Sequence, residues 1–161
     1  MSEENTNWGQ SVAGVVIRDG KVLLGRHTYG NGKGLLIIPG GYVKYGETPR
    51  DALKREFMEE TNISVEPLSI IGVRFNPRDW YIVFSAEYIS GEERSDNDEN
   101  SEVLWIDTSE ALHRDDVPGL TKKMIESALS GREGLELTDY NKVRKDEEAS
   151  LYSVRNGTDK D

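Results

Sequence analysis

The sequence predicts one α/β domain, built on a mixed central sheet with helices on both faces. Three observations predict it. Segments with strand and helix character alternate along the chain, which favours layered α/β packing. Turn signals at Asp19-Gly20 and around Asn76-Pro77 join neighbouring strands as antiparallel hairpins, so the sheet cannot be wholly parallel. Finally, 161 residues fit one ordinary core and leave too little chain for a second.

Val12–Ile17 is apolar and β-branched, Arg18-Asp19-Gly20-Lys21 is a tight turn, and Val22-Leu23-Leu24 begins the return strand. His27–Gly34 is a polar, glycine-rich loop, and Leu35–Ile38 is a short strand that Pro39-Gly40-Gly41 stops. Thr48-Pro49 then opens a helix. Threonine caps free N–H groups, proline suits the first turn, and Asp51 meets the positive end of the helix dipole. The helix should run to about Thr61. Two strands follow, Leu68–Phe75 and Trp80–Tyr88, then a strand at Val103–Ile106, a short helix at Thr108–Leu112 and a longer one at Leu120–Leu129. We place the domain in residues 1–130 and expect residues 131–161, charged and polar, to be a peripheral tail, partly helical or disordered.

Composition excludes several functions. Thirty acidic against twenty basic residues give a net charge of −10, the wrong sign for broad binding of nucleic acid or an anionic membrane. No apolar run approaches the ~20 residues of a membrane span, and the N-terminus lacks a signal pattern, so a cytoplasmic protein is expected. Without cysteine there are no disulfides, thiolate sites or cysteine nucleophiles. Any metal is then held by oxygen or by the two histidines, which favours Mg²⁺ or Mn²⁺ over structural zinc. His27 and His113 read as loop or surface residues, and no Ser-His-Asp grouping suggests a nucleophilic hydrolase.

The chemistry is concentrated in Gly41–Ile63. On a helix, Glu56, Glu59 and Glu60 fall within an arc of roughly 100°, so three carboxylates share one face. Like charges at this spacing repel, and a hard divalent cation removes the conflict. Leu53 and Phe57 supply the apolar stripe that anchors the helix, and Ala52 leaves the acidic face open. Arg55 lies on the opposite flank, where it can pair with Glu47 and fix the glycine-rich turn against the helix.

This spacing resembles the Nudix box: Gly41, five residues, Glu47, seven residues, then Arg55-Glu56-Phe57, Glu59-Glu60 and Ile63. Asn62 stands where that pattern has glycine. Asparagine is the next-best residue for the positive φ that ends such a helix, so the fold should survive. The resemblance implies an α/β/α sandwich and a hydrolase in which water attacks phosphorus in a nucleoside diphosphate linked to another moiety. By position it implies Glu56, Glu59 and Glu60 as ligands of Mg²⁺ or Mn²⁺, the Gly40 or Gly41 carbonyl as a further one, and Glu47 and Arg55 as an orienting pair. It leaves the general base open between Glu56 and an acid on a downstream loop, Glu102, with Glu99 and Asp98 as weaker substitutes.

Substrate is less legible. Arg26, Arg74 and Arg78 could offer a cation to phosphate, and Trp8, Tyr29, Tyr42, Phe75, Trp80 and Tyr81 could stack on a base or ribose. Pro77 lies near the position of a proline associated with ADP-ribose hydrolases of this family, while Tyr81 lies in the window of a tyrosine associated with dinucleoside polyphosphate hydrolases. The balance leans to ADP-ribose or a nucleoside diphosphate sugar. Dinucleoside polyphosphates and oxidised nucleoside triphosphates are the rivals, and a non-catalytic nucleotide sensor is the answer of a different class. The N-terminal strand and Trp8 are candidate contacts of a homodimer.

Overall fold

The computed structural model describes residues 9–146 and 148–155. Nine strands and three helices follow one another as β1 (Gln10–Arg18), β2 (Lys21–His27), β3 (Leu36–Ile37), β4 (Gly40–Tyr42), α1 (Pro49–Thr61), β5 (Ser64–Phe75), β6 (Trp80–Ser90), β7 (Asn100–Asp107), α2 (Thr108–Ala111), α3 (Gly119–Leu129), β8 (Leu135–Thr138) and β9 (Leu151–Ser153). The sheet runs β3-β2-β1-β6-β5-β8-β9, with β4 added to β1 and β7 to β2. β1 and β6 are parallel and the remaining pairs antiparallel, the mixed sheet expected from the hairpins.

Strand alternation sends side chains to two cores. Val12 and Val16 face Leu53 and Phe57 of α1, whereas Ala13 and Val15 face Met124 and Ile125 of α3 and Ala111 of α2. Helices therefore cover both faces. Gly14 has no side chain because a Cβ there would press on Leu53 and Phe57, so α1 sits close to β1. Burying Leu53 and Phe57 completely is worth about 1.5–3 kcal/mol each.

Local signals hold where they are local. Asp19 and Gly20 both take positive φ in the first hairpin, and the Thr48 hydroxyl accepts from Asp51 N–H at the start of α1. Two expectations change. Gly40-Gly41 does not end the strand region but forms β4 against β1, where a Cβ on Gly40 would collide with the Val12 carbonyl. Past residue 130, β8 and β9 extend the sheet from β5 instead of a helix or disorder, and Tyr152 of β9 packs edge-on against Phe84 in the α1-side core. Trp8 lies outside the described residues. Among the described residues, no helix is long and apolar enough to cross a membrane.

Candidate active site

β4, α1, the loop before β7 and the β5–β6 hairpin enclose one cleft of about 580 Å³. Its acidic wall is built from Glu56, Glu60 and Glu99, each offering a carboxylate oxygen within 4.8 Å of the others. Glu56 and Glu60, four apart on α1, are 8% and 7% exposed, and Glu99 comes in from the loop before β7. Gly40-Gly41 makes this proximity feasible: a Cβ on Gly41 would occupy the space of the Glu56 carboxylate. The Gly40 N–H lies 3.4 Å from Glu60 Oε2.

Three acids in one partly dry site cannot all ionise cheaply. Burial, a hydrogen bond to Glu99 and the charges of Glu56 and Glu99 push Glu60 up to about 10. Burial also raises Glu56, although Arg55 opposes the rise.

Arg55 organises the other flank. It donates from Nη2 to Glu47 Oε1 at 2.7 Å and from Nε to Glu47 Oε2 at 3.1 Å, the bidentate pair expected from the spacing. Its Nη2 also reaches the Tyr42 carbonyl, and Nη1 reaches Glu56 and Glu59 at 2.9 and 3.1 Å. Burial pushes the Glu47 carboxyl up, but Arg55 and the Lys44 N–H outweigh it and hold Glu47 below its ordinary value. One guanidinium thus fixes the β4–α1 turn to the helix.

The sequence-predicted residues divide. Glu56, Glu60, Gly40, Arg74 and Tyr81 line the cleft. Glu59 shares the α1 face but is half-exposed and held by Arg55, outside the close cluster. Glu102 does not join the site: it lies opposite Arg26 in the β2–β7 ladder and accepts from Arg26 Nε at 2.7 Å. Arg26 also bonds Asp116 and the Gly34 carbonyl, so it ties β2 to β7 and to two loops and is not among the residues that line the cleft. Arg78 points to a separate depression with Asn76 and Pro77.

His27, expected as a surface or loop residue, lines the cleft, stacks on Tyr29 at 5.8 Å, and is lowered by burial against the charge of Glu99. His113 is exposed as expected. Tyr29 and Tyr42 line the cleft and are more than half exposed. On the β5–β6 side Arg74 pairs with Asp79 at 2.5 Å and lies over the Tyr81 ring, while its Nε is buried without a partner. Sequence reasoning missed Asp79 and Lys44 and ranked Glu99 below Glu102. Only the position of Asp79 at the end of the Asn-Pro turn could have drawn attention to it.

Comparison with known proteins places the fold in a family. The NUDIX domain matches residues 9–127, from β1 into α3. An ADP-ribose pyrophosphatase of Methanocaldococcus jannaschii is 36% identical over 94 residues, 55% of this chain and 56% of that protein. The NAD-capped RNA hydrolase NudC of Photorhabdus laumondii is 35% identical over 104 residues, 63% of this chain and 37% of that protein. The chain therefore spans little more than half of the first relative and about a third of the second. A solved NUDIX hydrolase from Nitrosomonas europaea shares the fold with a TM-score of 0.69 at 23% identity, covering 78% of this chain and 74% of that one. With the family matched across both helical faces, the glutamate helix and the cleft, the chain belongs to the Nudix family.

Proposed function

We propose that the chain is a Mg²⁺- or Mn²⁺-dependent pyrophosphohydrolase of a nucleoside diphosphate linked to another moiety, ADP-ribose or a nucleoside diphosphate sugar first. The observation that carries this reading is the meeting of Glu56, Glu60 and Glu99 in one cleft beside Gly40-Gly41. Their donor set fits a hard divalent cation: all oxygen, mutually repelling, and partly removed from water. Glu59, on the same helical face, is a further donor once it leaves Arg55. When bound, the ion supplies the positive charge that neutralises the diphosphate and eases attack by water at phosphorus.

The chain's own groups do the rest. Glu47 and Arg55 hold the turn that presents Gly40 and Gly41. Of the acids able to take the proton of the attacking water, Glu102 does not line the cleft, which leaves Glu56, with Glu99 the loop acid in reach. As the new phosphorus–oxygen bond forms, the anhydride bond breaks and the other phosphate leaves with the bridging oxygen. Tyr29 and Tyr42 are placed to stack on a base or ribose, and Arg74, whose guanidinium lies over Tyr81, brings a positive charge to the cleft wall. We place this unit in residues 1–130; among the described residues, none after Leu120 lines the cleft.

The lean to ADP-ribose is supported by the name of the archaeal relative and by Pro77. The NudC relative adds nicotinamide dinucleotides to the substrates worth testing. The test is a panel of ADP-ribose, nucleoside diphosphate sugars, NAD⁺, dinucleoside polyphosphates and oxidised nucleoside triphosphates with each metal, the products being separated chromatographically. ADP-ribose should give AMP and ribose 5-phosphate with the highest kcat/KM. Tight nucleotide binding without turnover of any of them would make the chain a nucleotide sensor and end the hydrolase reading.

A further inference from the structure

Glu99 belongs to an exposed loop, yet it must meet two carboxylates fixed on a helix. The loop from Gly91 to Glu99 and the first residue of β7, Asn100, are fastened to the C-terminal end of α1. A helix leaves its last carbonyls without intrahelical partners, and this loop supplies them: Arg94 N–H donates to the Thr61 carbonyl at 2.9 Å, and Asn100 Nδ2 to the Glu60 carbonyl at 3.3 Å. Asn100, next to Glu99, is 3% exposed, so this end is set deep in the structure.

The other end is held by Asn62, the residue that departs from the Nudix box. Its backbone takes φ 63°, ψ 17°, as the helix-ending glycine of the pattern would. Its side chain then does what glycine cannot. Asn62 Nδ2 donates to the Glu92 carbonyl at 3.0 Å, and Asn62 Oδ1 lies 3.4 Å from Arg94 Nη2. Gly91 passes so close to the Asn62 carbonyl that a Cβ there would collide with it.

We propose that Asn62 is a positioning residue for the metal site: its side chain clasps the acidic loop to the end of α1 and so holds Glu99 beside Glu56 and Glu60. The clasp offsets the tendency of a loop with this much negative charge to swing away from two further carboxylates. The proposal rests on the reading of Glu99 as a metal donor.

Asn62→Gly separates the clasp from the cap, because glycine takes positive φ at least as readily and still ends α1 in the same place. The variant should keep its helix signal and stay within a few degrees of the wild-type Tm. Its Kd for Mn²⁺, measured by calorimetry, should rise about tenfold, the lower end of the range for losing a group that orients a ligand. Hydrogen exchange at the Arg94 amide should quicken. A wild-type Kd with unchanged Arg94 protection overturns the proposal, as does a large fall in Tm with loss of helix, which would make Asn62 only a structural cap. Glu99→Gln is measured in parallel. If it binds Mn²⁺ as the wild type does, Glu99 is not a donor and both readings fall; if it binds weakly and Asn62→Gly binds normally, the clasp alone falls.

Discussion

Glu60→Gln should abolish hydrolysis and at the same time make the metal-free protein more stable at neutral pH. Activity falls because Glu60 is the most enclosed donor of the acidic wall, and the loss should be on the order of 10³-fold in kcat with Mg²⁺. Stability moves the other way. The carboxyl is pushed up to about 10 by burial, its bond to Glu99 and the neighbouring charges, so the folded state holds its proton while the unfolded chain, near 4.5, releases it. A raised folded value means that the contribution is fully present below about pH 4.5 and is lost as pH rises toward 10. A neutral amide of the same shape removes that dependence and should gain on the order of 1–3 kcal/mol at pH 8. Thermal melts in chelator at pH 5 and pH 8 check it. Wild type should lose Tm between the two pH values more steeply than the variant, and a variant less stable than wild type at pH 8 would contradict the electrostatic account.

Glu99→Gln and Glu102→Gln should separate as sharply. Glu99 faces Glu56 and Glu60, so its loss should lower kcat about 10²–10³-fold with little change in Tm. Glu102 is committed to Arg26, so its replacement should leave kcat within about threefold. It should cost only about 0.5–1 kcal/mol, because the pair is partly exposed and Arg26 keeps Asp116. Steady-state rates and urea melts on the two variants decide the matter. The reverse pattern would return the loop acid's role to Glu102.

That contrast shows where the sequence was readable. Helical spacing is a property of adjacent turns, so the common face of Glu56, Glu59 and Glu60, the Thr48 cap and the Asn62 stop were all legible in a short window. The Arg55–Glu47 pair was legible for the same reason, since only the Thr48 cap and about two helical turns separate its partners. The loop acid was not. The β2–β7 ladder shifts register between Arg26 and His27, pairing Arg26 with Glu102 and His27 with Asn100. In a strand one residue of slip exchanges the two faces, and no local pattern announces the irregularity. The partners of Arg26 were not legible either, because one of them, Asp116, lies ninety residues further on. The strand in the tail was not legible because the alternation of Leu135–Thr138 spans only four residues amid charged sequence, and pairing with β5 is what makes it a strand.

Titration calorimetry of Mn²⁺ into the metal-free protein at pH 7, in buffers of different ionisation enthalpy, reads cation binding at the acidic wall itself. A glutamate wall that must lose the Glu60 proton to bind a cation predicts saturable binding with release of about one proton per ion, and a large loss of affinity in Glu60→Gln. Absence of saturable binding, or binding of equal strength in wild type and Glu60→Gln, would contradict it.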